Sequence, residues 1–170
     1  MGYAEPKSGI QGLLYSVGDP HTANLGTLNR IMKFYTIGYG GRVPADFTSL
    51  LVAHGVRSIA DVRIHPDRAS MGAYVKARTA DKGIEKLLGD RGVTYRSILE
   101  LGNLFRDLED WRKPYRALMQ QVGDLLVERL DELPEPLCLM CAEKRVADCH
   151  RLVIAEFLVA TRGWSVEHIE

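Results

Sequence analysis

The residues best suited to chemistry are concentrated in Leu137-Cys-Leu-Met-Cys-Ala-Glu-Lys-Arg-Val-Ala-Asp-Cys-His-Arg151, which holds all three cysteines of the chain. Leu137 to Cys141 is apolar and strand-like, a charged loop follows, and the apolar run Leu152 to Ala160 continues at helical spacing. In open α/β proteins the carboxyl ends of strands and the amino ends of the following helices bound the ligand crevice. Cys149 falls where such a helix begins. A thiol there gains acidity from the helix dipole and free backbone N–H groups, and protonated His150 or Arg151 adds to it. Cys149 is therefore the leading candidate nucleophile and Cys141 the second, against the alternative of a buried structural thiol beside a helix cap. Cys138 and Cys141 have CxxC spacing, but residues three apart on a strand face opposite sides, so they cannot readily share a metal. Cys138 reads as a core residue. Cys141, Cys149 and His150 lack a clear fourth ligand, and no metal or cofactor is assigned.

Asp61 and Glu143 each close an apolar strand, where a carboxylate is costly unless it meets a cation or a crevice. Both are candidate proton-transfer groups, as is His150. Arg63, Arg68 and Arg151 occupy strand-end or helix-start positions, and their guanidinium forks suit phosphate or carboxylate. Gly38-Tyr-Gly-Gly-Arg42 forms a glycine-rich turn in which the Gly40 backbone could cradle an anion, with Tyr39 as donor or stacking platform. It lacks the third glycine of a dinucleotide fingerprint. His65 is a lesser candidate, His54 is expected in the core and His168 in a structural role. The competing interpretation is an acid–arginine network that only ties loops together.

These positions need a frame, and the apolar periodicity supplies one. Strands are expected at Phe34 to Ile37, Val56 to Val62, Val93 to Ile98, Leu137 to Cys141 and Trp164 to Ile169. Between them lie a helix after Pro44, a short one from Lys82 to Asp90, a long one and a last one from Cys149 to Thr161. The long helix carries Tyr115, Leu118, Met119, Val122, Leu125, Leu126 and Leu130 inward. The alternation predicts a single three-layer α/β domain over residues 32–170, with a mainly parallel sheet of about five strands and helices on both faces. Strand order is not encoded in this pattern. Residues 1–31 have no sustained periodicity and precede a second methionine, Met32; the expectation is an N-terminal extension, either flexible or an ordered arm docked through Leu13, Leu14 and Tyr15. The long connections after the second and third strands are expected to flank the crevice.

Composition narrows the functional classes. Lys plus Arg and Asp plus Glu number 22 each, so there is no global field to draw the protein to nucleic acid or an anionic membrane. Any anion site must be local. No signal peptide or spanning run is present, and a cytoplasmic setting with reduced thiols is expected.

Thr36-Ile-Gly-Tyr-Gly40, Asp61-Val-Arg63, Leu101-Gly102 and above all Cys141-Ala-Glu-Lys144 with Cys149-His-Arg151 resemble the bacterial and archaeal family called domain of unknown function 488. The resemblance runs from about Met32 to the end of the chain. It implies an α/β fold and one pocket shared by these motifs, and it carries no established reaction. Where the family has Pro-x-Ser-Arg, this chain has Pro66-Asp67-Arg68, so Arg68 takes the arginine's place without the serine. Val146 stands where a proline is frequent and Asn103 where a glycine is usual.

The sequence thus points to an enzyme whose crevice takes an anionic small molecule or nucleotide-like ligand, with the reaction class open. A second reading is a nucleic-acid-binding or processing module that uses the arginines on phosphate and Tyr39 or Trp111 for stacking. A third is a non-catalytic structural domain. Oligomeric state is not indicated.

Overall fold

The apolar segments form five strands and four α-helices in strict alternation: β1 (Lys33–Gly38), α1 (Pro44–Ala53), β2 (Ser58–Asp61), α2 (Gly83–Gly89), β3 (Thr94–Ser97), α3 (Arg112–Val127), β4 (Leu137–Cys141), α4 (Arg151–Arg162) and β5 (Ser165–Ile169). This is a computed structural model that describes residues 1–2 and 31–170. The extension expected over residues 1–31 lies almost wholly outside the described residues. All strand pairings are parallel, in the order β3-β2-β4-β1-β5. The mainly parallel sheet expected from the alternation is thus entirely parallel.

β4 sits at the centre and is buried at every position, as its unbroken apolar sequence requires of a strand covered on both faces. Its side chains alternate between two cores. Leu137, Leu139 and Cys141 join Tyr115, Met119, Val153, Ile154 and Leu158 under α3 and α4. Cys138 and Met140 face the other way, with Phe47, Leu51, Ile84 and Leu88 under α1 and α2. Helices therefore cover both faces. The first half of the chain winds toward one edge with its helices on one face, and the second half returns with its helices on the other. The loop after β4 departs to the face opposite those after β1 and β2, its two neighbours. That divergence opens a crevice at the carboxyl ends of these three strands, the switch point where open parallel sheets bind ligands.

Several boundaries and faces differ from expectation. β2 is shorter than Val56 to Val62, because the Val56 amide is taken by the Leu51 carbonyl of the preceding helix end. α3 begins before Pro114, which occupies its first turn, where a missing N–H costs nothing. Its buried positions are Tyr115, Met119, Gly123 and Val127, an i, i+4 stripe, so Val122 and Leu125 face outward. Gly123 sets this rotation: a Cβ there would lie 2.6 Å from the Phe157 ring of α4. His54 is not a core residue; it caps α1, bonds Leu50 O at 2.8 Å and lies 3.2 Å from the partly exposed Glu167 carboxylate. His168 links β5 to β1 through Thr36 Oγ1 at 2.8 Å. Among the described residues no helix is long and apolar enough to cross a membrane.

Candidate active site

The crevice is a cavity of about 300 Å³. The β1–α1 turn contributes Tyr39, the loop after β2 contributes Arg63, Ile64, His65 and Arg68, and the loop after β3 contributes Asn103, Arg106 and Trp111. The end of β4 and its loop supply Cys141, Ala142, Glu143, Asp148, Cys149 and His150. Tyr39, with Arg63 against its ring, lies toward the α1–α2 core, whereas Cys141 and Cys149 lie toward the α3–α4 core, where Trp111 packs as well.

At the end of β4 the side chains form a connected network. The Cys141 thiol donates to Glu143 Oε2 at 3.0 Å. His150 Nδ1 stands 3.8 Å from both Cys141 Sγ and Cys149 Sγ. Its Nε2 lies 2.9 Å from the Val62 carbonyl, which can only accept, so Nε2 carries a proton and Nδ1 is presented to the sulfurs. Cys149 falls between a 3-10 turn (Val146–Asp148) and the start of α4, with His150 as the N-cap residue. Burial pushes the Cys149 thiol up, but hydrogen bonds from Cys141 and His150 and the imidazolium charge outweigh it and bring the thiol down to about 6. Hydrogen bonding to Cys149 and burial hold Cys141 well above the ordinary thiol value, since two adjacent thiols do not ionise together. Burial pulls His150 down, and its bond to Cys149 more than reverses this and raises it. Partial burial pushes Glu143 up, while hydrogen bonding to the two thiols brings it below the usual carboxylate range. Of the two thiols Cys149 is therefore the more acidic and Cys141 the one that holds its proton, with His150 made more basic beside them.

The end of β2 is built differently. Asp61 is fully buried, and its carboxylate accepts from Arg63 Nε at 2.8 Å, Arg63 Nη2 at 2.6 Å, the Arg63 amide at 3.1 Å and Tyr95 Oη at 2.7 Å. Arg63 Nη2 also donates to Tyr74 O, while Nη1 is buried and has no partner. Tyr39 supports this guanidinium, with its ring centroid 5.0 Å from Arg63 Cζ, and itself stacks on Tyr74 at 4.5 Å. This strand end thus presents a fixed cation held by a carboxylate and an aromatic pair.

The glycine-rich turn works by close approach. Tyr39 N and Gly40 N donate to Cys141 O and Ala142 O, which extends the β1–β4 pairing past the sheet. A Cβ at Gly38 would lie 1.8 Å from Glu143 O, and one at Gly40 would lie 2.6 Å from Ala142 O. Arg151 is fully buried and donates from Nη1 to Glu143 O at 2.7 Å and from Nη2 to Lys144 O at 2.9 Å. The β4–α4 loop is therefore clamped between the turn and the first residue of α4.

The cavity brings together Tyr39, Arg63, Arg68, Cys141, Glu143, Cys149 and His150 from the residues singled out in the sequence, with His65 beside them. Three others have different places. Asp61 is saturated by its donors, Arg63 foremost, and is not among the residues lining the cavity. The Gly40 amide is spent on Ala142 O and is not free for an anion. The Arg151 guanidinium is turned to backbone carbonyls and offers no fork to a ligand. Arg106, Asp148 and Ile64 line the cavity without having been singled out; Arg106 and Asp148 sit in charged stretches where no local pattern sets them apart. Tyr95 also went unrecognised, because its reach to Asp61 depends on β2 pairing with β3. Glu143 completes a further set: Cys141, Glu143, Cys149 and His150 each place one potential metal-ligand atom within 4.8 Å of the others.

The molecule is an α/β protein with an open parallel sheet, and its thiols, imidazole and guanidiniums gather at the switch point, the place where such sheets commonly bind ligands. Residues 44–158 match the family described as "Domain of unknown function DUF488", and the chain belongs to that family. The matched span includes both the Asp61–Arg63 pair and the Cys141 to His150 network, and it leaves Tyr39 and Gly40 just outside. No match was found among curated proteins or solved structures.

Proposed function

We propose that the protein is a thiol-dependent enzyme acting on a small anionic or nucleotide-like substrate. The observation that carries this reading is the Cys149–His150 pair in a cavity that also holds Arg63, a buried cation with an unpartnered nitrogen. Cys149 is the nucleophile and His150 its acid–base partner, with the imidazole oriented through Val62 O. Cys141 and Glu143 form a second proton-carrying pair beside it. Arg63, Arg68 and Arg106 provide positive charge for the substrate, and Tyr39 fixes Arg63 in place. Asp61, Gly40 and Arg151 build the scaffold.

A cavity of about 300 Å³ is at the lower end of the range for small-molecule sites. Its size and the neutral balance of charge favour a compact ligand over a nucleic-acid strand. The test is alkylation of the metal-free full chain with iodoacetamide near neutral pH, read peptide by peptide. Selective modification of Cys149, slowed by inorganic phosphate or a small dicarboxylate, is expected. Equal, slow modification of Cys141 and Cys149, unaffected by anions, would defeat the proposal.

A further inference from the structure

We propose that Cys141, Glu143, Cys149 and His150 form a tetrahedral site for a thiophilic divalent cation of the Zn²⁺ class. The donor set is two sulfurs, one imidazole nitrogen and one carboxylate oxygen, the ligand types that Zn²⁺ takes. Zinc bonds of about 2.3 Å to sulfur and about 2.0 Å to nitrogen or oxygen place tetrahedral ligand atoms roughly 3.3–3.8 Å apart. Here the separations are 3.0 Å for Cys141 Sγ to Glu143 Oε2 and 3.8 Å from each sulfur to His150 Nδ1, with none among the four beyond 4.8 Å. Small side-chain shifts close this set on one ion.

A second, independent feature prepares the site. His150 Nε2 donates to Val62 O, which fixes the ring and leaves Nδ1 as the coordinating atom, the outer-shell arrangement typical of metal-bound histidines. The backbone beneath is equally fixed: Arg151 holds the carbonyls of Glu143 and Lys144, and the β1–α1 turn holds those of Cys141 and Ala142. Cys141, Cys149 and His150 are buried, whereas Glu143 is exposed. Three ligands therefore form a rigid floor, and the fourth can give way to a ligand in the cavity.

The inference goes beyond the thiol reading and does not depend on it. The same side chains serve either as a free acid–base network or as ligands, so an occupied site masks the thiols. The experiment is titration of the reduced, metal-stripped full chain with Zn²⁺ and with Co²⁺ as a spectroscopic probe. One equivalent of Co²⁺ should produce sulfur-to-cobalt charge transfer and the intense visible bands of tetrahedral coordination. One equivalent of Zn²⁺ should protect both Cys141 and Cys149 from iodoacetamide, a readout that needs no variant. Cys141→Ser and Cys149→Ser should weaken Zn²⁺ binding by more than the roughly 10–100-fold that loss of an outer-shell partner costs. Glu143→Gln, at an exposed side chain, tests the fourth ligand without opening the core and should also weaken binding, whereas Cys138→Ala should leave it unchanged. Absence of stoichiometric binding to the wild-type chain, or equal binding by the Cys141→Ser and Cys149→Ser variants, overturns the site. Selective alkylation of Cys149 in the metal-free chain is a separate measurement, so the failure of either proposal is recognised without the other.

Discussion

Two strand ends border the cavity, and they use a carboxylate in opposite ways. At the end of β2, Asp61 is fully buried and receives bonds from Arg63 and Tyr95, partners that stay protonated through the neutral range. Burial and the Asp61 charge both push the Tyr95 phenol upward, so that donor too is fixed. At the end of β4, Glu143 faces a thiol, and the thiols share an imidazole. A carboxylate saturated by a permanent cation can only hold geometry. A carboxylate among groups that gain and lose protons near neutrality belongs to a network that can do chemistry. The partner, more than the acid itself, separates scaffold from candidate machinery.

The sharpest way to break this contrast is Asp61→Ala, which strands the Arg63 cation in the interior. A loss of about 3–5 kcal/mol in urea unfolding is expected, the scale of a buried pair deprived of one member. A loss below about 1 kcal/mol would remove Asp61 from the scaffold. Gly38→Ala comes next. Its new methyl group meets the Glu143 carbonyl, and an overpacking cost of about 1–3 kcal/mol or more should appear together with altered alkylation of Cys149.

At the β4 end, His150→Asn should leave the Cys149 thiol without its cation and lower its alkylation rate at neutral pH by roughly tenfold or more. An unchanged pH profile would show that the imidazole does not activate the sulfur. Stability against pH in the metal-free chain gives a gentler test. Cys149 is depressed in the folded state, so its contribution, complete above the unfolded thiol value, is lost as pH falls through about 6. His150 is raised, so its contribution is complete below the ordinary imidazole value and is lost as pH rises through its folded value. The two contributions run in opposite directions with pH and offset each other where they overlap, so unfolding free energies of the wild-type chain should change little there, and His150→Asn, which removes both, should lower them across the same range. The smallest effect is expected for the exposed Arg68: Arg68→Ala should change stability by no more than about 0.5 kcal/mol while reducing protection of Cys149 by phosphate.

Much of this contrast was legible in the sequence. The unbroken apolar run at Leu137 to Cys141 marks a central strand, and period-two geometry alone separates Cys138 from Cys141 onto opposite faces. The strand-end positions of Asp61 and Glu143 and the helix-start position of Cys149 follow from where apolar periodicity stops and resumes. Side-chain direction was not legible. Arg63 and Arg151 look alike as arginines next to strand or helix ends, yet one lines the cavity and the other grips carbonyls, a distinction set by packing across the sheet. The Gly40 backbone suggested an anion cradle because the sequence does not reveal the pairing of β4 with β1, which supplies carbonyls to take the Tyr39 and Gly40 amides. Strand order likewise hid Tyr95, and loop conformation hid Glu143 as the possible fourth ligand.

The joining of the β1–α1 turn to the β4–α4 loop has a consequence for motion. Loops that carry chemistry are usually drawn from the less protected parts of a fold. Here the Tyr39 and Gly40 amides are bonded as if they were further rungs of the sheet, and Arg151 ties the following carbonyls to α4. In hydrogen-exchange terms these amides should open with the central strands instead of with the surface, so the Cys141 backbone and the loop that follows it should be among the slowest-exchanging parts of the domain.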